Sequence, residues 1–407
     1  MGSSQKVILA YSGGLDTSVI LHWLIQKGYE VVTYTANLGQ GDDYELIKSR
    51  AASIGAKQSY IPDLRKEFVE NFIFESVKAN AIYEGRYLLG TSLARPLTAK
   101  AQVEIGKKEK AQLLSHGATG KGNDQARFEF TFSALGPEFG IYSPWRDPEF
   151  LEEFQGRSDL IEYAAKYKIE VEQTKSRPWS SDANLMHISY EAGELEDPNR
   201  KPRDDMFNLT TSPQNAPNKE TEIVIEYSDG IPIKLTNITE NITKTDSLDL
   251  FIYLNELAGL NGIGREDIVE NRLVGLKSRG VYETPAATVL QKTHRDIEGL
   301  TMDREAMHLR DSLIPRYSEL IYYGFWYSPE MELLQSLFSE SQKNVSGTVN
   351  ATLYKGNVII NSRFSKNSLY NEQMVSMETH GGFDSTDSTG FIHINSHRLR
   401  AYFSRGK

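Results

Sequence analysis

The segment "KVILAYSGGLDTSVIL", residues 6–21, constrains the fold more than any other. An apolar run ends at Tyr11, two glycines follow, and helical spacing then sets in at Val19, Ile20, Trp23 and Leu24, with Gly28 as a stop. A strand, a glycine turn and a helix N-terminus in succession form the first unit of a parallel, helix-covered sheet. The pattern continues. "EVVTYTANL" (30–38) reads as a second strand, "YELIKSRAASIG" as a helix closing at Gly55, and "AKQSYIPD" as a short third strand. "RKEFVENFIFESVKANAIY" reads as a long helix, and "VEIGKKEKAQLLSHG" (103–117) as a helix that leads into a second glycine-rich loop. The expected class is α/β, with a doubly wound parallel sheet over residues 1–168. Ligands of such sheets sit at the carboxyl ends of the strands, where the SGG turn falls.

Past residue 168 the pattern changes. A loop-rich stretch at 195–220 precedes two hairpins, "TEIVIEYSDGIPIKLTNI" and "GTVNATLYKGNVIINSR", with Asp229-Gly230 and Lys355-Gly356 at their turns. Between them "DSLDLFIYLNELAGLNG" reads as an Asp-capped helix ending in glycine. Residues 169–362 are expected to form a second, α+β domain. Residues 363–407 are too few for a core of their own, yet they carry apolar groups. They read as an oligomerisation arm, the alternative being that they pack on their own subunit.

Composition removes whole classes of chemistry. There is no cysteine, so disulfides, cysteine-bound zinc, iron–sulfur clusters and cysteine nucleophiles are excluded. The formal charge is −10, and no dense basic block segregates from it, which disfavours a nucleic-acid partner. No apolar run reaches the roughly 18 residues of a membrane span. The first residues carry no secretory pattern, so a cytoplasmic location is expected.

The loop Ser12-Gly13-Gly14-Leu15-Asp16-Thr17-Ser18 has neither the lysine of a P-loop nor the spacing of a dinucleotide fingerprint. Its context is nonetheless that of an anion site. Gly13 and Gly14 let backbone N–H groups converge, and Ser12, Thr17 and Ser18 add hydroxyls. Hydrogen bonds to a charged oxygen, each worth roughly 1.5–3 kcal/mol, would outweigh the helix dipole at about 0.3–1 kcal/mol. Asp16 beside a phosphate makes sense if Mg²⁺ bridges the two. The plainer reading is a capped helix after a tight turn. Taken as one pattern, Ser-Gly-Gly-x-Asp-(Thr/Ser) resembles the pyrophosphate loop of the N-type ATP pyrophosphatases. Members that draw ammonia from a cysteine glutaminase, or that thiolate tRNA, fit poorly with a chain that has no cysteine and no basic face.

The second loop, "SHGATGKGNDQARFEF" (115–130), packs Thr119, Lys121, Asn123, Asp124 and Arg127 among three glycines. Together with "AYSGGLDTS", "YLLGTSLARP", "NLMHISYEAG", "DIVENR" and "SRGVYETP", it resembles the argininosuccinate synthases, of eukaryotic type, over nearly the whole chain. The resemblance implies ligation of citrulline and aspartate by ATP through a citrullyl-adenylate, in arginine biosynthesis or the urea cycle, by a homotetramer. It implies an ATP site of Ala10, Tyr11, Ser12, Gly13, Gly14, Leu15, Asp16, Thr17, Ser18 and Ala36. Ser115, His116, Gly117, Ala118, Thr119, Gly120, Lys121, Gly122 and Asn123 would complete it. Thr119, Asn123 and Asp124 would hold aspartate. Tyr87, Ser92, Asn123, Arg127, Ser180, Ser189, Glu270 and Tyr282 would hold citrulline, Arg127 facing its carboxylate and Glu270 its ammonium. Asp16, Asp124 and Arg127 are the expected catalytic positions. No dedicated metal site or tightly bound cofactor is expected, only Mg²⁺ carried by ATP.

Taken singly, several of these residues say little. Tyr282 would be a core aromatic, and Glu270, in what reads as a helix-to-strand junction, a solvated charge. His116 and His187 invite an acid–base role that a lone histidine seldom has. Arg95 and Lys121 are candidates to neutralise phosphate. Two other readings stay open: a nucleotide-binding regulatory protein without turnover, and a ligase for another ureido or amide substrate.

Overall fold

The computed structural model describes residues 4–120, 122–170, 179–378 and 382–405. Among the described residues, fourteen strands follow one another. They are β1 (Lys6–Ala10), β2 (Glu30–Tyr34), β3 (Gln58–Tyr60), β4 (Leu113–Ser115), β5 (Gly140–Tyr142), β6 (Ser180–Ala183), β7 (Ile188–Glu191), β8 (Thr221–Ser228), β9 (Ile231–Asn237), β10 (Ile242–Lys244), β11 (Arg265–Asn271), β12 (Lys277–Glu283), β13 (Gly347–Tyr354) and β14 (Asn357–Phe364).

The first sheet is wholly parallel, in the order β3-β2-β1-β4-β5. The chain winds outward from β1 to one side, then returns to lay β4 on the other. That reversal opens a crevice between the carboxyl ends of β1 and β4, the place where doubly wound sheets bind ligands. Both glycine-rich loops leave the sheet there. Alternation along β1 fixes what covers each face: Val7 and Leu9 pack under the Leu15–Gln26 helix, and Ile8 faces the opposite layer. Ile8, Val32 and Leu114 belong to the same apolar cluster as Ile225 and Val349 of the later strands and Leu254 of the Ser247–Leu260 helix, so one core joins the two halves of the chain.

The remaining strands form two antiparallel sheets, β10-β9-β8-β13-β14 and β11-β12-β7-β6. Both hairpin turns are where the sequence places them. Asp229 and Gly230, and again Lys355 and Gly356, all have positive φ, as a two-residue turn matched to strand twist requires. The Ser247–Leu260 helix is capped by Asp246, whose carboxylate accepts from the Leu248 and Asp249 N–H groups. The Tyr44–Ile54 helix ends at Gly55 with φ 115°.

Two local expectations are corrected. The helix expected from residue 103 begins at Gly90 and runs to Glu109, so "GTSLARP" is helical and Pro96 lies inside the helix. The proline hid it, because Pro96 gives up the bond to the Ser92 carbonyl and usually marks a break. Glu270 is also not at a helix-to-strand junction. It lies within β11, one of the two inward positions of an alternation that leaves Ile268 and Glu270 buried while Val269 is 52% exposed.

After β14 the chain continues into the Asp387–Phe403 helix, which has no buried residue and exposes Phe391, Ile394 and Phe403. Among the described residues, no helix is long and apolar enough to cross a membrane.

Candidate active site

The first loop follows β1 directly. Gly13 has φ 76°, and a Cβ there would stand 2.9 Å from Ile47 Cγ1, so only glycine fits. Ser12 Oγ and Thr17 Oγ1 lie 3.0 Å apart, and the Gly14 N–H donates to Ser12 Oγ at 3.3 Å, which curls the loop over the helix start. Tyr11 Oη and Ser18 Oγ meet at 3.0 Å beneath it. The Leu15–Gln26 helix has no side-chain cap, so its first N–H groups are open to an anion. Asp16 sits half-buried in this first turn, and burial raises its carboxyl against the pull of a backbone hydrogen bond and of Arg157. Ala10 ends β1, and Ala36 follows the end of the neighbouring β2 by two residues, on the same rim.

The second loop follows β4 and touches the first. A Cβ on Gly117 would lie 3.0 Å from Thr17 Cγ2. Ser115 is fully buried and its hydroxyl has no partner. His116 is turned inward: Nε2 pairs with Glu129 at 3.0 Å and Nδ1 accepts the Ala118 N–H. Both ring nitrogens are thus engaged in holding the loop. Ala118, Thr119, Gly120 and Gly122 form the loop's outer run, and Lys121 lies outside the described residues. Asn123 precedes the Asp124–Leu135 helix and accepts the Leu273 N–H at 3.1 Å, which ties the loop to the β11–β12 turn.

Asp124 and Arg127, one turn apart, pair at 2.9 Å. Arg95, from the Gly90–Glu109 helix, donates Nε to the other Asp124 oxygen at 2.8 Å. Burial alone would raise the Asp124 carboxyl, but the two guanidiniums outweigh it and hold it at about 2. Arg127 is buried, and its Nε donates to the Tyr322 carbonyl at 2.9 Å.

Tyr322 carries the site into the second half of the chain. Its phenol donates to Glu270 Oε1 at 2.6 Å, and Tyr282 donates to Oε2 at 2.9 Å. Glu270 is 5% exposed, and burial raises its carboxyl above the ordinary value despite the two phenols and nearby Arg127. Tyr282 reaches it by lying across its own strand: a Cβ on Gly280 would fall 2.3 Å from the Tyr282 hydroxyl. Tyr87 stacks on Tyr282 at 4.4 Å, and Tyr83 on Tyr322 at 3.8 Å. Ser189 is opposite Tyr282 on one side and Asp182 on the other, while Ser180 lies two residues before Asp182 on the sheet edge. Ser92 is fully buried with an unpartnered hydroxyl. His187 is buried behind the tyrosines, and burial, then Arg95 and Arg127, lowers it to about 3, so it stays neutral.

These contacts link the two loops to Asp124, Arg127, Tyr322, Glu270, Tyr282 and Tyr87, with Arg127 as the joint. Four residues that composition and spacing did not single out belong to the same constellation: Tyr322, Tyr83, Thr91 and Asp182. Tyr322 sits in a helix, Arg304–Tyr323, whose pattern reads as ordinary core packing. Among the described residues, no group of three His, Asp or Glu side chains gathers as a metal site.

Comparison with known proteins bears on the same residues. The arginosuccinate synthase N-terminal HUP domain model matches residues 6–170, and the arginosuccinate synthase C-terminal domain model matches residues 179–402. An argininosuccinate synthase of Thermotoga maritima is 57% identical over 398 residues, covering 98% of this chain and 97% of that one. That of Mus musculus is 52% identical over 402 residues, covering 99% and 98%. That of Xenopus tropicalis is 53% identical over 400 residues, covering 98% and 97%. Bacterial and vertebrate relatives match almost equally, so these identities do not single out a eukaryotic type.

Proposed function

The chain belongs to the argininosuccinate synthase family, and on that footing we propose that the β1/β4 crevice is where its three substrates meet. The reaction is ATP-dependent ligation of citrulline and aspartate, a carbon–nitrogen ligation of arginine biosynthesis. The observation that carries the assignment is the double contact of the second loop. It packs Gly117 on Thr17 of the first loop, and through Arg127 it reaches Tyr322 and Glu270.

In this reading Ala10–Ser18, Ala36 and the 115–123 loop surround ATP, which enters with Mg²⁺ facing Asp16. Open N–H groups and hydroxyls offset the charge that builds on the phosphates. Citrulline lies on the Tyr87–Tyr282 stack, with its ammonium toward Glu270 and its carboxylate toward Arg127; Ser92, Asn123, Ser180 and Ser189 complete its surroundings. The ureido oxygen attacks the α-phosphorus and pyrophosphate leaves. The chain's contribution to this step is orientation in a shielded cleft, not a covalent intermediate on a side chain. Aspartate, held by Thr119, Asn123 and Asp124, then attacks the activated carbon, its amine losing its proton, and AMP leaves.

Residues 1–168 and 169–362 are the two working domains, and 363–407 an arm that docks on a neighbouring copy in a homotetramer. The unburied apolar face of the Asp387–Phe403 helix supports the arm. We place the reaction in the cytoplasm, with no nucleic-acid or membrane partner. The direct test uses the full chain with Mg²⁺ and ATP. Pyrophosphate should appear only when citrulline is present, and sustained turnover only when aspartate is added. Turnover without citrulline would overturn the assignment, and absence of any pyrophosphate would leave the regulatory reading.

A further inference from the structure

Asp124, the group assigned to the ammonium of aspartate, already has both oxygens taken. Arg95 holds one and Arg127 the other. The two guanidiniums are not equivalent. Arg127 has a 5% exposed side chain and is pinned a second time on the Tyr322 carbonyl. Arg95 is 19% exposed, and its far end rests on Asp182, to which Nη2 donates at 2.6 Å. Asp182 lies on β6, across the crevice, with its side chain 40% exposed. Thr91, one turn before Arg95 on the same helix, donates to the same Asp182 oxygen at 3.3 Å.

A third cation brought to Asp124 meets two guanidiniums, and the repulsion is relieved when one of them withdraws. Arg95 is the one placed to withdraw, because it is the more exposed and its second partner is a full negative charge, where that of Arg127 is a neutral carbonyl. Withdrawal with no other partner would strand a positive charge in a partly buried place, which is costly. Asp182 removes that cost, since Arg95 is bonded to it before any substrate arrives. We infer that Arg95 is a displaceable counter-ion that keeps Asp124 paired while the amino-donor site is empty, and that Asp182 is the positioning residue that receives Arg95 when the ammonium of aspartate takes its place. The inference rests on the assignment of Asp124 to that ammonium.

At Asp124 the ammonium takes the place of Arg95, which keeps its bond to Asp182, so the cluster of two carboxylates and two guanidiniums gains one positive charge, which the substrate carboxylates offset. The sign of the Asp182 effect is fixed. Without the Asp182 carboxylate, Arg95 has only Asp124 to pair with and yields it less readily, so aspartate binds more weakly. The Asp182 carboxylate accepts from Arg95 and Thr91, whereas Ser189 beside it meets only its main-chain carbonyl, so the effect of changing the side chain should fall on aspartate.

Steady-state kinetics of the full chain, with each substrate varied in turn, test this. Asp182→Asn should raise the aspartate KM roughly 10- to 100-fold, the worth of one hydrogen bond between charged groups, and leave the KM values for ATP and citrulline unchanged. Asp182→Glu should restore most of the loss. In an Arg95→Gln background the same Asp182→Asn change should add nothing, because Asp182 acts only through Arg95. An equal effect in both backgrounds, or a parallel rise in all three KM values, would overturn the inference. Asp124→Asn separates it from the reading beneath. If that variant leaves the aspartate KM unchanged, the assignment of Asp124 fails. If it raises the KM while Asp182→Asn does not, only the role of Asp182 and Arg95 fails.

Discussion

Tyr322 donates its phenol to Glu270 Oε1 at 2.6 Å, across 52 residues of chain. Through its main-chain carbonyl the same tyrosine holds Arg127. It therefore sets the spacing between the groups assigned to citrulline's ammonium and carboxylate. Tyr322→Phe keeps the ring and removes the donor. The citrulline KM should rise roughly tenfold or more, as one hydrogen bond to a buried charge is lost, while the ATP KM holds. Kinetics with citrulline and ATP varied separately check this, and equal changes in both would remove Tyr322 from the site.

The two carboxylates of the site sit on opposite sides of their ordinary values. Burial raises Glu270 above 4.5, whereas the guanidiniums, against burial, hold Asp124 at about 2. On acidification Glu270 takes up its proton first. The citrulline KM should therefore climb as pH falls through the raised Glu270 value, at a pH where the aspartate KM is still flat. For stability the signs are opposite. A raised carboxyl such as Glu270 favours the fold below its unfolded value, and that gain is lost as pH rises through its folded value. The depressed Asp124 favours the fold above 3.8, and the gain is lost as pH falls toward about 2. A pH series of both KM values decides the functional part: joint movement above pH 4.5 would contradict it.

Asp16 faces the open N-terminus of its helix with a carboxyl raised by burial, an arrangement that favours a cation beside it. Asp16→Asn should increase the Mg²⁺ concentration needed for half-maximal turnover by about tenfold, one unit of binding free energy at RT ln 10. A Mg²⁺ titration at fixed total ATP measures it, and an unchanged titration would sink the role.

The arm can be tested by ending the chain after β14. Such a protein keeps every buried apolar residue in the core clusters and loses the exposed face formed by Phe391, Ile394 and Phe403. Its mass in solution, by light scattering, should fall from four copies to fewer. Four copies without the arm would show that assembly lies elsewhere.

Much of this was legible in the residues, for physical reasons. The strand–glycine–helix order of 6–28 announces a parallel sheet because period, turn and cap agree there. The Asp229-Gly230 turn announces a hairpin because few dipeptides accept positive φ twice, and at Lys355-Gly356 the glycine between two alternating runs gives the same signal. The tyrosine–glutamate cluster was not legible from pattern. Glu270 is a charge at an inward strand position, and alternation alone marks such a place for an apolar side chain. Its solvent is replaced by two phenols, one of them 52 residues away on a helix. Asp182 was missed for a related reason, since its partner Arg95 is 87 residues distant and lies on a helix that Pro96 disguised. Glu283 shows the converse. It stands in the same motif as Tyr282, yet its carboxylate is consumed locally by Tyr190, Thr210 and the Asn208 and Leu209 N–H groups.

In the proposed reaction the crevice directs the ureido oxygen of citrulline at the α-phosphorus of ATP. Citrulline labelled with ¹⁸O at the ureido oxygen tests it in a single turnover. Mass spectrometry should find the label in AMP. Label in pyrophosphate, or AMP without label, would contradict that attack.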